Sequence, residues 1–243
     1  MFICIKRSHL LAFLLCSFLG LTTILWTGHA GSRSRPVFAV RDGAPVTIVI
    51  DPGHGGEDGG AVSPDGVEES QINLEIALRI NGILRFAGQH TRMTRETDIS
   101  IHDAHAVSAR EKKVSDLKNR VQLVNGTENA VLLSIHQNSL PSSTVTHGAQ
   151  AFWNRQEGAQ ELAEAIQQTL NGVVNTHRAK QAKAISDSIY LMKQALFPGV
   201  LVECGFLSHT GETALLQEGA YQEKLAMTIS AGLLRGLAGE DSI

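Results

Sequence analysis

Three short apolar runs, each followed at once by an imidazole or carboxylate side chain, constrain this chain more than any other feature. The runs and the residues that follow them are 46–50 with Asp51 to His54, 130–135 with His136, and 199–202 with Glu203. Each run has the composition of a strand that is buried on both faces of a parallel sheet. In open α/β sheets, ligands bind outside the carboxyl ends of the strands. We therefore expect the residues that follow the runs to meet in one crevice.

Segments with helical periodicity separate these runs. Helices are predicted over 70–86, 112–125, 157–173 and 221–237, where apolar residues recur at helical spacing. Further strands are predicted over 90–94, 150–153 and 188–192, and the polar stretch 96–108 is predicted to be a loop. Alternation of strands with helices predicts a single α/β domain, in which a mostly parallel sheet is covered by helices on both faces.

The first thirty residues have the composition of an export segment. Lys6 and Arg7 precede an apolar stretch over residues 10–26, and no acidic residue lies in the segment. This pattern predicts a secretory signal peptide with a small-residue cleavage site at 28–30, or an uncleaved membrane anchor through residues 10–26. In both cases the part of the chain after this segment is expected to face outside the cytoplasm.

Composition indicates where the folded domain begins and which partners are not expected. Residues 31–45, which are rich in Ser, Arg, Pro and Gly, predict a linker, so the catalytic domain is expected over 46–243. The formal net charge is −3, and no block of like charges occurs in the chain. A nucleic-acid partner is therefore not expected, and no polybasic membrane patch is indicated.

The histidines after the first two runs favour a zinc site. Catalytic zinc takes three nitrogen or oxygen ligands and leaves a further position for water. His54 and His136 supply imidazoles, and Glu69 at the head of the first predicted helix is the candidate third ligand. The alternative for Glu69 is that it forms, with Glu68, a solvated pair in the first turn of that helix.

Zinc chemistry also requires a group that handles a proton. A bound metal lowers the pKa of its water and polarises the scissile carbonyl, and a second carboxylate must then accept the proton and return it to the leaving nitrogen. Glu203 at the end of the third run is the candidate. Alone, such a residue is more often a surface residue or an ion-pair partner.

For the other cysteine and histidine side chains, the sequence predicts a structural role or leaves the role open. Cys204 is predicted to be a buried structural thiol, because no basic residue beside it would lower its pKa. His102 and His105 lie in the polar loop, where no strand positions them. His209 follows Glu203 closely enough to approach the crevice.

Several segments match a known family. They lie between residues 46 and 237 in the family's order and comprise Ile50–Gly56, Glu69, Ser134–Asn138 and Val202–Ser208. The chain resembles the zinc-dependent N-acetylmuramoyl-L-alanine amidases of bacterial cell walls, the Amidase_3 type. The resemblance implies a six-stranded mixed sheet, with His54, Glu69 and His136 as zinc ligands and Glu203 as the catalytic carboxylate. It also implies that Asn138 helps to shape the substrate site.

The reaction that the resemblance implies is hydrolysis of the amide between the lactyl group of N-acetylmuramic acid and L-alanine in peptidoglycan. Segments 93–98, 116–121 and 189–192 resemble the sporulation branch of the family, whose product leads to muramic-δ-lactam in spore cortex. The protein would then act in the cell wall or between the forespore membranes. His209 stands where the family commonly carries Asn. Whether the protein has an activating protein partner stays open.

Two other classes of function remain open. The first is a peptidoglycan-binding protein that keeps the fold without catalysis, which loss of a ligand or of Glu203 would favour; none is missing. The second is a zinc peptidase or deacetylase that acts on another cell-wall bond, because a metal and a carboxylate alone do not select the scissile bond. Analysis of the products separates these classes from an amidase.

Overall fold

A mixed sheet organises the part of the chain that the structure, a computed structural model, describes, which is residues 45–239. Its six strands are β1 (Thr47–Pro52), β2 (His90–Met93), β3 (Ala130–Asn138), β4 (Gln150–Trp153), β5 (Lys183–Ala184) and β6 (Gly199–Phe206). They lie in the order β2-β1-β3-β6-β4-β5. β2, β1, β3 and β6 are mutually parallel, and β4 runs antiparallel to β6. The predicted six-stranded, mostly parallel sheet is confirmed.

Helices cover both faces of this sheet. Over the same residues they are α1 (Glu69–Phe86), α2 (Ala109–Asn125), α3 (Ala159–Val173), α4 (Tyr190–Gln194), α5 (Thr210–Leu216) and α6 (Gly219–Ala238). On one face, Ile48 and Ile50 of β1 belong to an apolar cluster with α1, α3 and α6. On the other face, Val49 packs in a cluster with residues of α2 and α4. Burial on both faces explains why the strand runs are apolar throughout instead of alternating.

The predicted strand at 188–192 is wrong. The chain turns at Ser188 and then forms the short helix α4. Leu191 and Met192 are both buried although they are adjacent, and adjacent residues of a strand point to opposite faces. The remaining strand of the sheet is β5, whose two residues are exposed and pair with β4 at the sheet edge. A two-residue exposed edge strand has no apolar pattern to detect.

Part of the predicted organisation lies outside the described residues. This applies to the export segment predicted over 1–30, to residues 31–44 of the predicted linker, and to residues 240–243. Within 45–239, no helix combines the length and apolar character that are needed to cross a membrane.

Candidate active site

The side chains of His54, Glu69 and His136 form a cluster at the carboxyl edge of the sheet. His54 follows β1, Glu69 is the first residue of α1, and His136 lies near the end of β3. His54 Nε2 lies 3.3 Å from Oε2 of Glu69, and His136 Nδ1 lies 2.8 Å from Oε1 of the same carboxylate. One ligand atom from each residue lies within 4.8 Å of the others. Residues 45–239 contain no other His, Cys, Asp or Glu group with this geometry.

This donor set fits a catalytic metal ion. Two atoms that each lie about 2.1 Å from one tetrahedral ion are about 3.4 Å apart, close to the His54–Glu69 separation. The Glu69 side chain is only 4% exposed, whereas each imidazole is 21% exposed. The carboxylate thus forms the floor of the site and the rings open towards solvent. Two imidazoles and a carboxylate leave room for a water molecule, as a hydrolytic site requires.

Gly53 allows the turn after β1 to pass close to His136. A Cβ atom at position 53 would lie only 2.1 Å from the His136 ring. Any larger residue would move either the ring or the end of β1, and with it the cluster.

Further polar groups hold two of the candidate ligands, His54 and Glu69, in place. The carboxylate of Asp58 accepts a hydrogen bond from His54 Nδ1 at 3.0 Å, so that Nε2 faces the cluster. Glu69 accepts three further bonds, from the backbone N–H of Ala61 (2.9 Å), the side-chain amide of Asn73 (3.1 Å) and the backbone N–H of Gln137 (3.1 Å). These contacts fix the carboxylate before any ion binds.

The charges in the metal-free cluster favour a cation. Although burial lowers it, hydrogen bonds to Asp58 and Glu69 raise the pKa of His54 to about 9. Burial acts to raise the pKa of Glu69, but hydrogen bonds from His136 and His54 hold it well below its usual range. Near neutral pH the metal-free site therefore binds a proton on His54. A metal ion must displace that proton, so metal affinity falls as the pH is lowered.

Glu203 lies beside His136 on the neighbouring strand. β3 and β6 pair in parallel with His136 opposite Glu203, and the two side chains line the same cleft. Oε2 of Glu203 is buried and has no hydrogen-bond partner. Burial raises the pKa of Glu203 from 4.5 to about 7. A carboxyl group with a pKa near neutrality is suited both to accept and to return a proton.

The cleft that holds the cluster and Glu203 has a volume of about 430 Å³. Asn138, at the end of β3, also lines it. One wall is formed by the start of α4, where Ile189 and Tyr190 are 38% and 39% exposed. This wall presents apolar and aromatic surface to whatever occupies the cleft, and the sequence did not reveal it because the segment was predicted to be a strand.

The other reactive residues lie apart from the cluster. Nδ1 of His209 accepts the backbone N–H of Glu212 at 3.0 Å and caps α5, and its ring packs against His147. His209 is not among the residues that line the cleft. Cys204 is fully buried, and burial raises its thiol pKa, in agreement with a structural thiol.

Comparison with known proteins gives a consistent result. The family model for N-acetylmuramoyl-L-alanine amidase of the Amidase_3 type matches residues 48–235. The chain is 40% identical over 190 residues to the germination-specific N-acetylmuramoyl-L-alanine amidase of Bacillus subtilis, covering 77% of this chain and 78% of that one.

Two solved structures share the fold. The CwlD amidase of Clostridioides difficile, solved in complex with the GerS lipoprotein, is 35% identical with a TM-score of 0.76, covering 80% of this chain and all of that one (100%). An N-acetylmuramoyl-L-alanine amidase of Clostridium difficile 630 is 28% identical with a TM-score of 0.66, covering 78% and 95%. The matched family region includes all four residues His54, Glu69, His136 and Glu203. This chain therefore belongs to the Amidase_3 family of N-acetylmuramoyl-L-alanine amidases.

Proposed function

We propose that this protein uses zinc, held by His54, Glu69 and His136, to hydrolyse the amide between N-acetylmuramic acid and L-alanine in peptidoglycan. Membership of the family supports the choice of bond. The observation that carries the proposal is that the candidate ligands and the unpaired oxygen of Glu203 face one cleft. A non-catalytic binding protein would have no need for a buried carboxylate oxygen without a hydrogen-bond partner beside such a cluster.

The residues of the cleft have different roles in the reaction. When bound, the zinc ion would supply an activated water molecule and polarise the scissile carbonyl. Glu203 accepts the proton of the attacking water and donates it to the leaving amine of L-alanine, as its pKa of about 7 in the metal-free protein permits. Asp58 orients the His54 ring through the 3.0 Å hydrogen bond. The products are the free lactyl carboxyl group and a stem peptide that begins with L-alanine.

We assign the substrate to the same cleft, between Asn138 and the α4 wall. Asn138 offers a side-chain amide that can bind the polar groups of the stem peptide or the sugar. Ile189 and Tyr190 offer exposed apolar surface to the lactyl and alanyl methyl groups or to a sugar ring. The two sides of the cleft thus match a substrate with both polar and apolar parts.

The spore cortex is the proposed place of action. The similarity to the B. subtilis relative named germination-specific supports this role, in which removal of the stem peptide leads to muramic-δ-lactam. Peptidoglycan lies outside the cytoplasm, so the protein has to be exported. We assign export to residues 1–30, as a cleaved signal peptide or as an anchor through 10–26.

Digestion of purified peptidoglycan tests the proposal. The protein is incubated with cortex peptidoglycan with added zinc or with a chelator, and released material is identified by mass spectrometry. We expect stem peptides with a free L-alanine amino terminus, only when metal is present, and none from Glu203→Gln. Peptides cut elsewhere would indicate a peptidase, free acetate would indicate a deacetylase, and binding without release would indicate a non-catalytic protein.

The α4 wall gives a second test at the level of the substrate. Tyr190→Ala should lower kcat/KM for a soluble muropeptide about three- to thirtyfold through KM, equivalent to roughly 0.7–2 kcal/mol of lost contact. Leu196→Ala is the matched control, because Leu196 is also exposed, at 68%, but lies just beyond α4 and outside the cleft. Equal kinetics for Tyr190→Ala and Leu196→Ala would remove the wall from the substrate site.

A further inference from the structure

The backbone of His54 adopts a conformation that is uncommon for its residue type. Its φ is 61°, in the left-handed region, and Asn129 is the only other non-glycine residue with positive φ in the described part of the chain. Residues with a Cβ atom stay in this region only where surrounding contacts hold them. The conformation matters here because it decides where the His54 imidazole points.

Arg120 of α2 contacts the backbone of His54 and of the residues just before it. Its guanidinium is buried, and Nη2 donates to the carbonyl oxygen of His54 at 2.7 Å. Nη1 donates to the carbonyl oxygen of Pro52 at 2.8 Å and to Oδ1 of Asp51 at 2.7 Å, while Nε donates to Oδ2 of Asp116 at 2.7 Å. One rigid, planar group thereby connects α2, the end of β1 and the His54 turn.

A second buried arginine completes this arrangement around the turn. Arg95 Nε donates to the carbonyl oxygen of Pro52 at 3.0 Å, and its Nη2 donates to that of Gly53 at 3.0 Å. Three consecutive carbonyl groups, 52 to 54, therefore accept hydrogen bonds from guanidinium groups. The arginine that contacts His54 itself is Arg120.

A purely structural role for Arg120 makes a different prediction. Buried ion pairs are weak contributors to net stability, although breaking one leaves an unpaired charge and destabilises the fold. If Arg120 acts only in this way, its replacement lowers stability equally with and without metal. If it sets the His54 turn, its replacement weakens metal binding although every candidate ligand remains.

We propose that Arg120 is a positioning residue for the metal centre, which holds the left-handed backbone of His54 so that Nε2 faces Glu69 and His136. This inference rests on the proposed zinc site. Contacts that orient metal ligands typically contribute 10–100-fold to metal affinity, and we expect a loss in that range when the guanidinium is replaced. The motif 116–121, which the sequence marked only as a family resemblance, thereby gains a specific role.

Zinc affinity of Arg120→Lys, measured by chelator competition, is the test. Lysine keeps the charge but cannot span Asp116 and the carbonyl groups of Pro52 and His54 at once. The matched control is Arg235→Lys on α6, since Arg235 also donates to a backbone carbonyl, that of Ala165 at 3.1 Å, but lies outside the cleft. We expect about 10–100-fold weaker zinc binding for Arg120→Lys, a smaller zinc-induced rise in Tm, and no change in either for Arg235→Lys.

The outcomes separate this inference from the zinc proposal. If wild-type protein binds no zinc, the proposed metal site fails. If wild type binds zinc and folded Arg120→Lys binds it as tightly, with equal loss of Tm in the presence and absence of zinc, only the positioning role fails. Should Arg120→Lys not fold, Asp116→Asn takes its place, since it loosens the guanidinium without removing it. Zinc affinity of Asp116→Asn equal to that of wild type would then overturn the inference.

Discussion

The catalytic edge of this molecule and its helical face are held together by different forces. At the catalytic edge, which we define as the carboxyl ends of β1, β3 and β6 with the His54 turn, buried polar groups fix positions through directed hydrogen bonds such as those of Arg120. On the helical face, formed by α1, α3 and α6, apolar side chains pack closely, and α6 approaches α3 so nearly that a Cβ at Gly232 would lie 2.6 Å from Ile166 Cα.

In this fold, the residues that set the geometry of the site and the residues that contribute most to stability lie in different regions. The catalytic edge contains a histidine with a left-handed backbone conformation and one buried carboxylate oxygen, Oε2 of Glu203, without a hydrogen-bond partner, and both cost stability. The helical face contains the packing that offsets such costs. Substitutions at the edge should therefore change chemistry more than folding, and substitutions on the helical face should do the opposite.

Loss of the proposed catalytic carboxylate, Glu203, should have the largest effect on activity. Glu203→Gln should lower kcat by about 10²–10⁴-fold, because the amide cannot accept the proton of the attacking water. Measurement of stem-peptide release by the zinc-loaded variant checks the magnitude. A variant that keeps wild-type kcat would remove Glu203 from the mechanism.

A core truncation should show the opposite behaviour. Leu233→Ala on α6 removes a fully buried side chain and should lower the free energy of unfolding by about 2–5 kcal/mol. At temperatures where it remains folded, its kcat and zinc affinity should equal those of wild type. Met227→Ala on the same helix, where Met227 is 57% exposed, is the control for a change without burial. A lower kcat in folded Leu233→Ala than in wild type would mean that packing on the helical face also affects catalysis.

Loss of the hydrogen bond between Asp58 and His54 should lower zinc affinity without a comparable loss of stability. Asp58→Asn weakens the contact to His54 Nδ1 and should lower zinc affinity about 10-fold, with little change in stability because Asp58 is partly exposed. Asp65→Asn, an exposed aspartate in the same loop, controls for the lost charge. Equal zinc affinities for the two variants would argue that the His54 ring is oriented by other contacts.

The raised pKa of Glu203 predicts a pH-dependent stability change. In metal-free protein its pKa is about 7, compared with 4.5 for a free glutamate, so the folded state holds this proton more tightly than the unfolded state. The stability of wild type should fall as the pH rises from about 4.5 to about 7, and Glu203→Gln should lack that loss.

The difference in unfolding free energy between the two proteins should reach about 3 kcal/mol above pH 7 and vanish below about pH 4.5. Denaturant unfolding in the presence of chelator measures it at each pH. Glu157→Gln, at an exposed glutamate, should show no such pH dependence. A wild-type curve parallel to that of Glu203→Gln would mean that the Glu203 carboxyl is not buried in solution.

The features of the fold and the site that the sequence predicts have a strong local pattern. The apolar runs of β1, β3 and β6 are evident in the sequence; His136 and Glu203 come directly after their runs, and His54 stands in the turn after β1. Because parallel strands bring their carboxyl ends to one edge, the order of residues along the chain was sufficient to predict their meeting.

What the sequence missed depends on contacts between distant segments. Arg120 and Asp58 look like ordinary charged residues of a helix and a loop, and only the fold places one against the His54 carbonyl and the other against its ring. The segment 188–192 was predicted to be a strand, and Ile189 and Tyr190 do favour strands locally. Packing against α2 and the sheet instead favours the helix α4, which buries two consecutive residues.

The zinc content of two variants, measured side by side with wild type, tests the roles of His54 as a zinc ligand and of Glu203 as the proton acceptor. After zinc loading and gel filtration, elemental analysis should find one equivalent of zinc in wild type and in Glu203→Gln, and none in His54→Ala, with stem-peptide release only from wild type. Zinc retained at full stoichiometry by His54→Ala, or lost from Glu203→Gln, would contradict the assignment of ligand and proton acceptor.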